Sequence, residues 1–295
     1  MTFQPHLRLL IAATVLCFLG GCTNVGMGMI NALVPTAGYS RTTDIAYGAD
    51  PRQQLDIYAP RGPSAARPVV LFFYGGSWRF GARGQYRFLG EALAAKGFVV
   101  VVADYRLYPE VKFPVFMEDA AAALRWVTDH AGEYGGDPTQ IFAMGHSAGA
   151  HMAALLVLDP KYADAANVPR GRIAGLIGLA GPYAFHPERI DSVRGVFVGS
   201  GDLDAARPIT FVDTAPSLPA IFLAHGGDDD TVNPSNTRDV AEKARARGAI
   251  VREIIYPGIG HLGLMAAFAR PFRGRAPVLE DVAAFIDGVR RRPAT

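Results

Sequence analysis

Cysteine is almost missing from this chain. The only two, Cys17 and Cys22, fall within the first 22 residues, so a body that begins after them has no disulfide to hold it. Charge of one sign is missing too: 29 Lys and Arg stand against 27 Asp and Glu, a net of +2 spread along the sequence. That excludes the basic footprint of a nucleic-acid binder, or of a protein held on an anionic membrane by charge alone. No HExxH or paired ligand spacing marks a metal centre. Long apolar runs are lacking as well, and the one at the start, Leu9–Leu19, is too short to cross a bilayer comfortably. No internal repeat or low-complexity tract is present.

That short run has a use. Arg8 precedes it, as in the n-region and h-region of a signal peptide. It ends in Leu19-Gly20-Gly21-Cys22, which resembles the bacterial lipobox, and an ordinary signal peptide with an incidental cysteine is the alternative. The resemblance implies that Cys22 is diacylated and becomes the new N-terminus. Two or three acyl chains anchor stably where one does not. Residues 1–22 are therefore expected to be the signal peptide with its lipidated cysteine, 23–40 a tether, and 41–295 one domain. The expected place is the cell envelope, exported and membrane-anchored, with the membrane as partner and the periplasmic face as location. Oligomeric state is not legible.

Half of the residues are hydrophobic, and they come in short blocks. "LDIYAP", "PVVLFFYGG", "FVVVVADYR", "QIFAMGHS", "RIAGLIGLAG", "PAIFLAHGG" and "VREIIYPG" read as strands. Between them lie helical patterns: "GQYRFLGEALAAKG", Phe116 to His130, "AGAHMAALLVL", a helix opening near Asn233-Pro234, and Ala276 to Val289. Continuous Val, Ile, Leu and Phe blocks mean strands buried on both faces, hence a mainly parallel sheet. Strands alternating with helices predict a doubly wound α/β domain. Residues 183–216 break the rhythm with no clear strand of their own. They follow a strand end, where open α/β sheets bind ligands, so a small cap insertion is expected there.

Gly145-His146-Ser147-Ala148-Gly149 lies between a strand and a helix. Two glycines permit the sharp turn that lifts the Ser147 hydroxyl above the sheet, with a helix N-terminus beneath to stabilise negative charge. The plain alternative is a glycine turn with a capping serine. A serine needs a base. Of the seven histidines, His6 is in the signal segment, His130 and His186 adjoin turns, His146 points elsewhere on a sharp turn, and His151 lies one helical turn in. His261, in the glycine-loosened loop "YPGIGHLG" after the last strand, is where this architecture returns a histidine over the sheet. The base needs an orienting carboxylate. "HGGDDDTV", residues 225–232, offers three, Asp228, Asp229 and Asp230, all past the strand, and periodicity does not choose among them.

These motifs resemble the esterase/lipase group of α/β-hydrolases, with its hormone-sensitive-lipase-like and BD-FAE-like carboxylesterases, over most of residues 45–290. The resemblance implies an α/β-hydrolase fold with an eight-stranded, mainly parallel sheet. The group's His-Gly-x-x-Asp-x-x-Val pattern, laid on His225, Gly226 and Val232, selects Asp229 as the triad acid. "FFYGGSW" resembles its His-Gly-Gly-x-Trp segment and implies an oxyanion hole from the N–H groups of Gly76, Ser77 and Ala148. Tyr74 stands where the group usually has His, which puts the local hydrogen-bond support in question. Asp104, Arg106, Asp119 and Trp126 read as structural.

The expectation is a serine hydrolase cleaving carboxylic esters of small or short-chain acyl groups through Ser147, Asp229 and His261, with a small-molecule ester as substrate and no cofactor, metal or nucleic acid. An arylformamidase-like amidase and a peptidase share the triad, and a catalytically inactive, membrane-tethered binding protein is the rival of another class.

Overall fold

The structure is a computed structural model that describes residues 28–291 apart from 29, 63–65 and 200. The signal segment and Cys22 lie outside the described residues.

The apolar blocks form strands because each can be covered on both faces. β3 (Arg67–Phe73), β4 (Val99–Ala103), β6 (Ile173–Leu179) and β7 (Ala220–Gly226) are almost wholly buried, as is β5 (Gly136–His146) from Ile141 onward. Together with β1 (Tyr39–Ala46), β2 (Gln54–Pro60) and β8 (Val251–Tyr256) they make one eight-stranded sheet in the order β1-β2-β4-β3-β5-β6-β7-β8. β3 to β8 run parallel, while β1 and β2 pair antiparallel at one edge. Parallel strands need crossovers, supplied here by α1 (Arg87–Ala94), α2 (Val115–His130), α3 (Ala148–Leu158) and α4 (Pro160–Ala165). In the second half come α5 (Asp191–Phe197), α6 (Pro208–Phe211), α7 (Ser235–Ala246), α8 (His261–Ala266) and α9 (Val278–Arg290). The fold is that of an α/β-hydrolase, and its parallel strands all end at one edge.

The tether expected over 23–40 is corrected where the structure describes it. Asn31 Nδ2 donates to the carbonyls of Gly84 and Gln85 (3.0 and 2.9 Å), and its Oδ1 accepts the Phe88 N–H (3.1 Å). Arg87 donates to the Val34 carbonyl (3.3 Å), so the segment lies docked along α1. β1 then begins at Tyr39, two residues before the expected domain start. All but one or two of its side chains face solvent, so it offers no apolar block for a sequence reading to find.

Among the described residues, 183–216 hold no strand and carry α5 and α6 between β6 and β7. Two of their aromatic side chains pack inward. Phe185 stacks on Trp78 at 5.8 Å and Phe197 meets it edge-on at 4.8 Å. Among the described residues no helix is long and apolar enough to cross a membrane.

Candidate active site

β5 ends at His146, and Ser147 follows at φ +53°, ψ −122° before α3 begins. A non-glycine residue there is strained by about 1–3 kcal/mol and persists only where its surroundings force it. They do. A Cβ on Gly149 would lie 2.0 Å from the Phe73 carbonyl oxygen, so only glycine lets α3 press this closely on β3. The Ser147 N–H donates to the Leu179 carbonyl (2.8 Å), which pins the turn to β6.

The aspartate question has a spatial answer. Asp228 and Asp230 are exposed, and Asp229 is buried. Its Oδ1 accepts the N–H groups of Thr231 and Val232, both at 2.9 Å. Its Oδ2 lies 2.7 Å from His261 Nδ1. Gly226 makes this approach practicable, since a Cβ there would stand 2.1 Å from the Ile259 carbonyl oxygen. The loop before His261 therefore closes on the end of β7, where the Asp228 N–H donates to Ile259 (3.1 Å).

Two histidines that the sequence reading left without a task stand beside these groups. His225 Nε2 lies 2.9 Å from the Val232 carbonyl and 3.1 Å from Asp229 Oδ2. Both are acceptors, so Nε2 carries the proton, and Nδ1 accepts from the Thr237 hydroxyl at 2.8 Å. Burial holds the His225 pKa below its ordinary value and keeps the ring neutral. His146, expected to point elsewhere, instead packs its ring 4.7 Å from that of His261. Its Nε2 donates to the His261 carbonyl (3.2 Å). Burial, then the neighbouring His261, lowers its pKa well below the usual value. The signal for both was their sequence position, one beside Ser147 and one at the mouth of the aspartate loop, but neither orientation is a local property.

Opposite this cluster the loop after β3 turns back through left-handed backbone at Gly76, Ser77 and Trp78 (φ +131°, +54°, +57°). A Cβ on Gly75 would lie 2.9 Å from Ser147 Cβ, which brings this loop against the elbow. Among the described residues neither the Gly76 nor the Ser77 N–H donates to an acceptor. Ala148 opens α3, and its N–H is one of the first-turn donors that a helix leaves unsatisfied. Tyr74 supplies the support that was in question. Its hydroxyl donates to Asp104 Oδ1 (2.7 Å) and accepts from Arg52 (2.8 Å), while its ring stacks between Tyr86 and Tyr105. Asp104 is further bound by Arg83, which also reaches Asp56 (2.8 Å) and Asp44. Arg106 grips Asp119 by Nε and Nη2 (2.9 and 2.6 Å), and Trp126 stacks on His130.

One more imidazole lies a turn below. The His151 N–H donates to the Ser147 carbonyl (3.1 Å), and the ring meets Trp78 edge-on at 4.9 Å. Its Nε2 donates to the Ala206 carbonyl (2.7 Å), and burial lowers its pKa to about 4. Among the described residues no three His, Cys, Asp or Glu converge as metal ligands.

A half-buried serine elbow, a buried carboxylate–imidazole pair and unpaired N–H groups on one edge of a mainly parallel sheet define the α/β-hydrolase class. Within it, residues 55–244 match the BD-FAE family model, and the chain belongs to that family. It is 34% identical over 267 residues to the "Probable isoprenylcysteine alpha-carbonyl methylesterase ICME" of Oryza sativa subsp. japonica, covering 82% of this chain and 63% of that one. It is 30% identical to esterase LipC of Mycobacterium tuberculosis, over 87% of this chain and 67% of the relative. The chain thus spans 55–63% of the length of the first curated relatives it matches. Among solved structures, the inhibited esterase B of Lactobacillus rhamnosis superposes with a TM-score of 0.80 at 21% identity, covering 96% of this chain and 97% of that one. That likeness concerns the fold.

Proposed function

We propose that this protein is a carboxylic ester hydrolase working through an acyl-enzyme on Ser147, held in the cell envelope by a lipid on Cys22. The observation that carries the reading is the 2.7 Å contact between His261 Nδ1 and the buried Asp229 carboxylate, on the sheet edge that bears Ser147. With Nδ1 engaged, Nε2 is the nitrogen left to act as base. Ser147 Oγ attacks the acyl carbonyl carbon and passes its proton to His261 Nε2. Asp229 holds the imidazole in that tautomer and balances the imidazolium. The N–H groups of Gly76, Ser77 and Ala148 receive the oxyanion. His261 then gives the proton to the departing alcohol oxygen as the ester bond breaks. Water repeats the sequence on the acyl-enzyme, releasing the acid and restoring Ser147.

Relatives whose names record esterases support the ester as the bond attacked. We take the acyl group to be small, because the rings of Trp78, His151 and Phe197 pack together one helical turn from Ser147. A fluorophosphonate probe is expected to label the wild type and not Ser147→Ala, with circular dichroism unchanged. Undiminished labelling of the alanine variant removes the mechanism. Cys22→Ser is expected to lose labelled fatty acid and leave the membrane fraction, and retention through carbonate washing removes the anchor.

A further inference from the structure

Five residues lie between Cys22 and Gly28, the first described residue, and the six chain steps span about 20 Å when fully extended. A few residues later the chain is clamped, with Asn31 bonded to Gly84, Gln85 and Phe88. Arg83 beside this clamp is bound to Asp104, the residue that follows the last one of β4. The clamp therefore sits at the carboxyl edge of the parallel strands, the edge at which β5 delivers Ser147. From there the segment runs along α1 to the far edge, where the Arg61 N–H donates to the Gly38 carbonyl (3.1 Å).

A second observation is independent of the anchor. Six large apolar side chains are exposed among the described residues: Leu33, Phe80, Ile190, Val198, Ile250 and Leu262. Five belong to the catalytic edge. Leu33 (65% exposed) is two residues from the Asn31 clamp, Phe80 (55%) closes the loop of Gly76 and Ser77, and Leu262 (57%) follows His261. Ile190 and Val198 flank α5 in the insertion after β6. Only Ile250 lies at the opposite edge, just before β8. Single exposed apolar residues mean little; their collection at one edge is what needs a cause.

We infer that the lipid-anchored protein presents the carboxyl edge of its sheet, active site included, to the bilayer surface, with Leu33, Phe80 and Leu262 entering the headgroup boundary. The inference rests on the lipidation of Cys22 proposed above. It makes the substrate an ester whose larger part lies in the bilayer surface, reached without leaving the membrane. Charge alone favours the reverse orientation. The opposite edge carries a cleft of about 570 Å³ lined by Arg61, Arg67, Arg270 and Arg290 with Glu91, and an anionic bilayer would attract it. The anchor opposes that. A seven-residue strand such as β3 is about 23 Å long before its loops are added, more than the whole reach from Cys22 to Gly28.

Once Cys22 is acylated the mature chain has no other thiol, so one introduced cysteine can be labelled alone. A donor dye is placed on Phe80→Cys, or on Gly171→Cys in the turn before β6, where a Cβ meets nothing within 4 Å. The acylated full-length proteins, checked by circular dichroism, are incorporated into vesicles of phosphatidylcholine with a minor share of phosphatidylglycerol and a headgroup acceptor dye. Energy transfer is expected to be about twofold or more greater from position 80 than from 171, given roughly 23 Å of strand between the two edges. Equal transfer, or more from position 171, overturns the orientation. Release of Cys22→Ser from the vesicles tests the anchor, and hydrolysis of a soluble short-chain ester tests the activity. If Cys22→Ser stays bound, the anchor fails and takes the orientation with it. If only the labels disagree, the orientation falls alone.

Discussion

His225 Nε2 lies 3.1 Å from the Asp229 oxygen that also receives His261 Nδ1 at 2.7 Å. The carboxylate is thus held by a neutral imidazole on one side and faces the His261 ring on the other. A buried carboxylate with its remaining lone pairs bonded has one orientation available, and the Thr237 hydroxyl on His225 Nδ1 (2.8 Å) keeps the holding tautomer in place. His225→Asn is expected to lower kcat about tenfold, or ~1.4 kcal/mol, with KM little changed. Thr237→Val moves kcat the same way by less. Steady-state kinetics on one soluble ester decide it, and a change confined to KM contradicts the positioning role.

Asp229→Asn is expected to cost at least about 10² in kcat/KM, mainly in kcat, because the imidazole loses both its orientation and its counter-charge. Asp228→Asn and Asp230→Asn remove exposed carboxylates and are expected to cost less than about tenfold. If either of these proves the crippling change, the acid is misassigned.

Gly149→Ala places a methyl group 2.0 Å from the Phe73 carbonyl oxygen. Backbone on both sides has no room to give, so the variant is expected to lose about 3 kcal/mol or more, or to fold poorly. Gly171→Ala, with nothing within 4 Å of the new Cβ, is expected to stay within about 0.5 kcal/mol of wild type. Denaturant melts of the pair measure the contrast, and a well-tolerated Gly149→Ala denies the close approach of α3 to β3.

His151 carries a pH prediction. Burial lowers its pKa from 6.5 to about 4, so between those values the unfolded chain binds a proton that the folded chain does not. Stability from this group is full above pH 6.5 and is lost as the pH falls towards 4, by about 3 kcal/mol. Tm is expected to drop more for wild type than for His151→Gln between pH 7 and pH 4.5, since a glutamine amide is able to donate to Ala206 without titrating. Parallel curves for the two proteins remove the assignment.

What the sequence determined by itself is whatever depends on neighbours along the chain. Val, Ile and Phe blocks such as "VVLFF" and "FVVVV" can be satisfied only by burial on both faces, and they became β3 and β4. The two glycines around Ser147 announce a turn that other residues cannot make. The helix over 116–130 was readable for the same reason, since its apolar spacing is local. What crosses the chain was decided by tertiary structure alone. β1 faces solvent with most of its residues and exists because β2 offers it an edge. The 30–38 segment reads as linker until the carbonyls of Gly84 and Gln85 meet Asn31. Three adjacent aspartates are equivalent as letters. They separate only when the turn buries one carboxylate under the Thr231 and Val232 N–H groups and the loop carrying His261 closes on it. The orientation of His146 and His225 belongs to the same kind, because a ring's direction is set by acceptors that arrive from other parts of the fold.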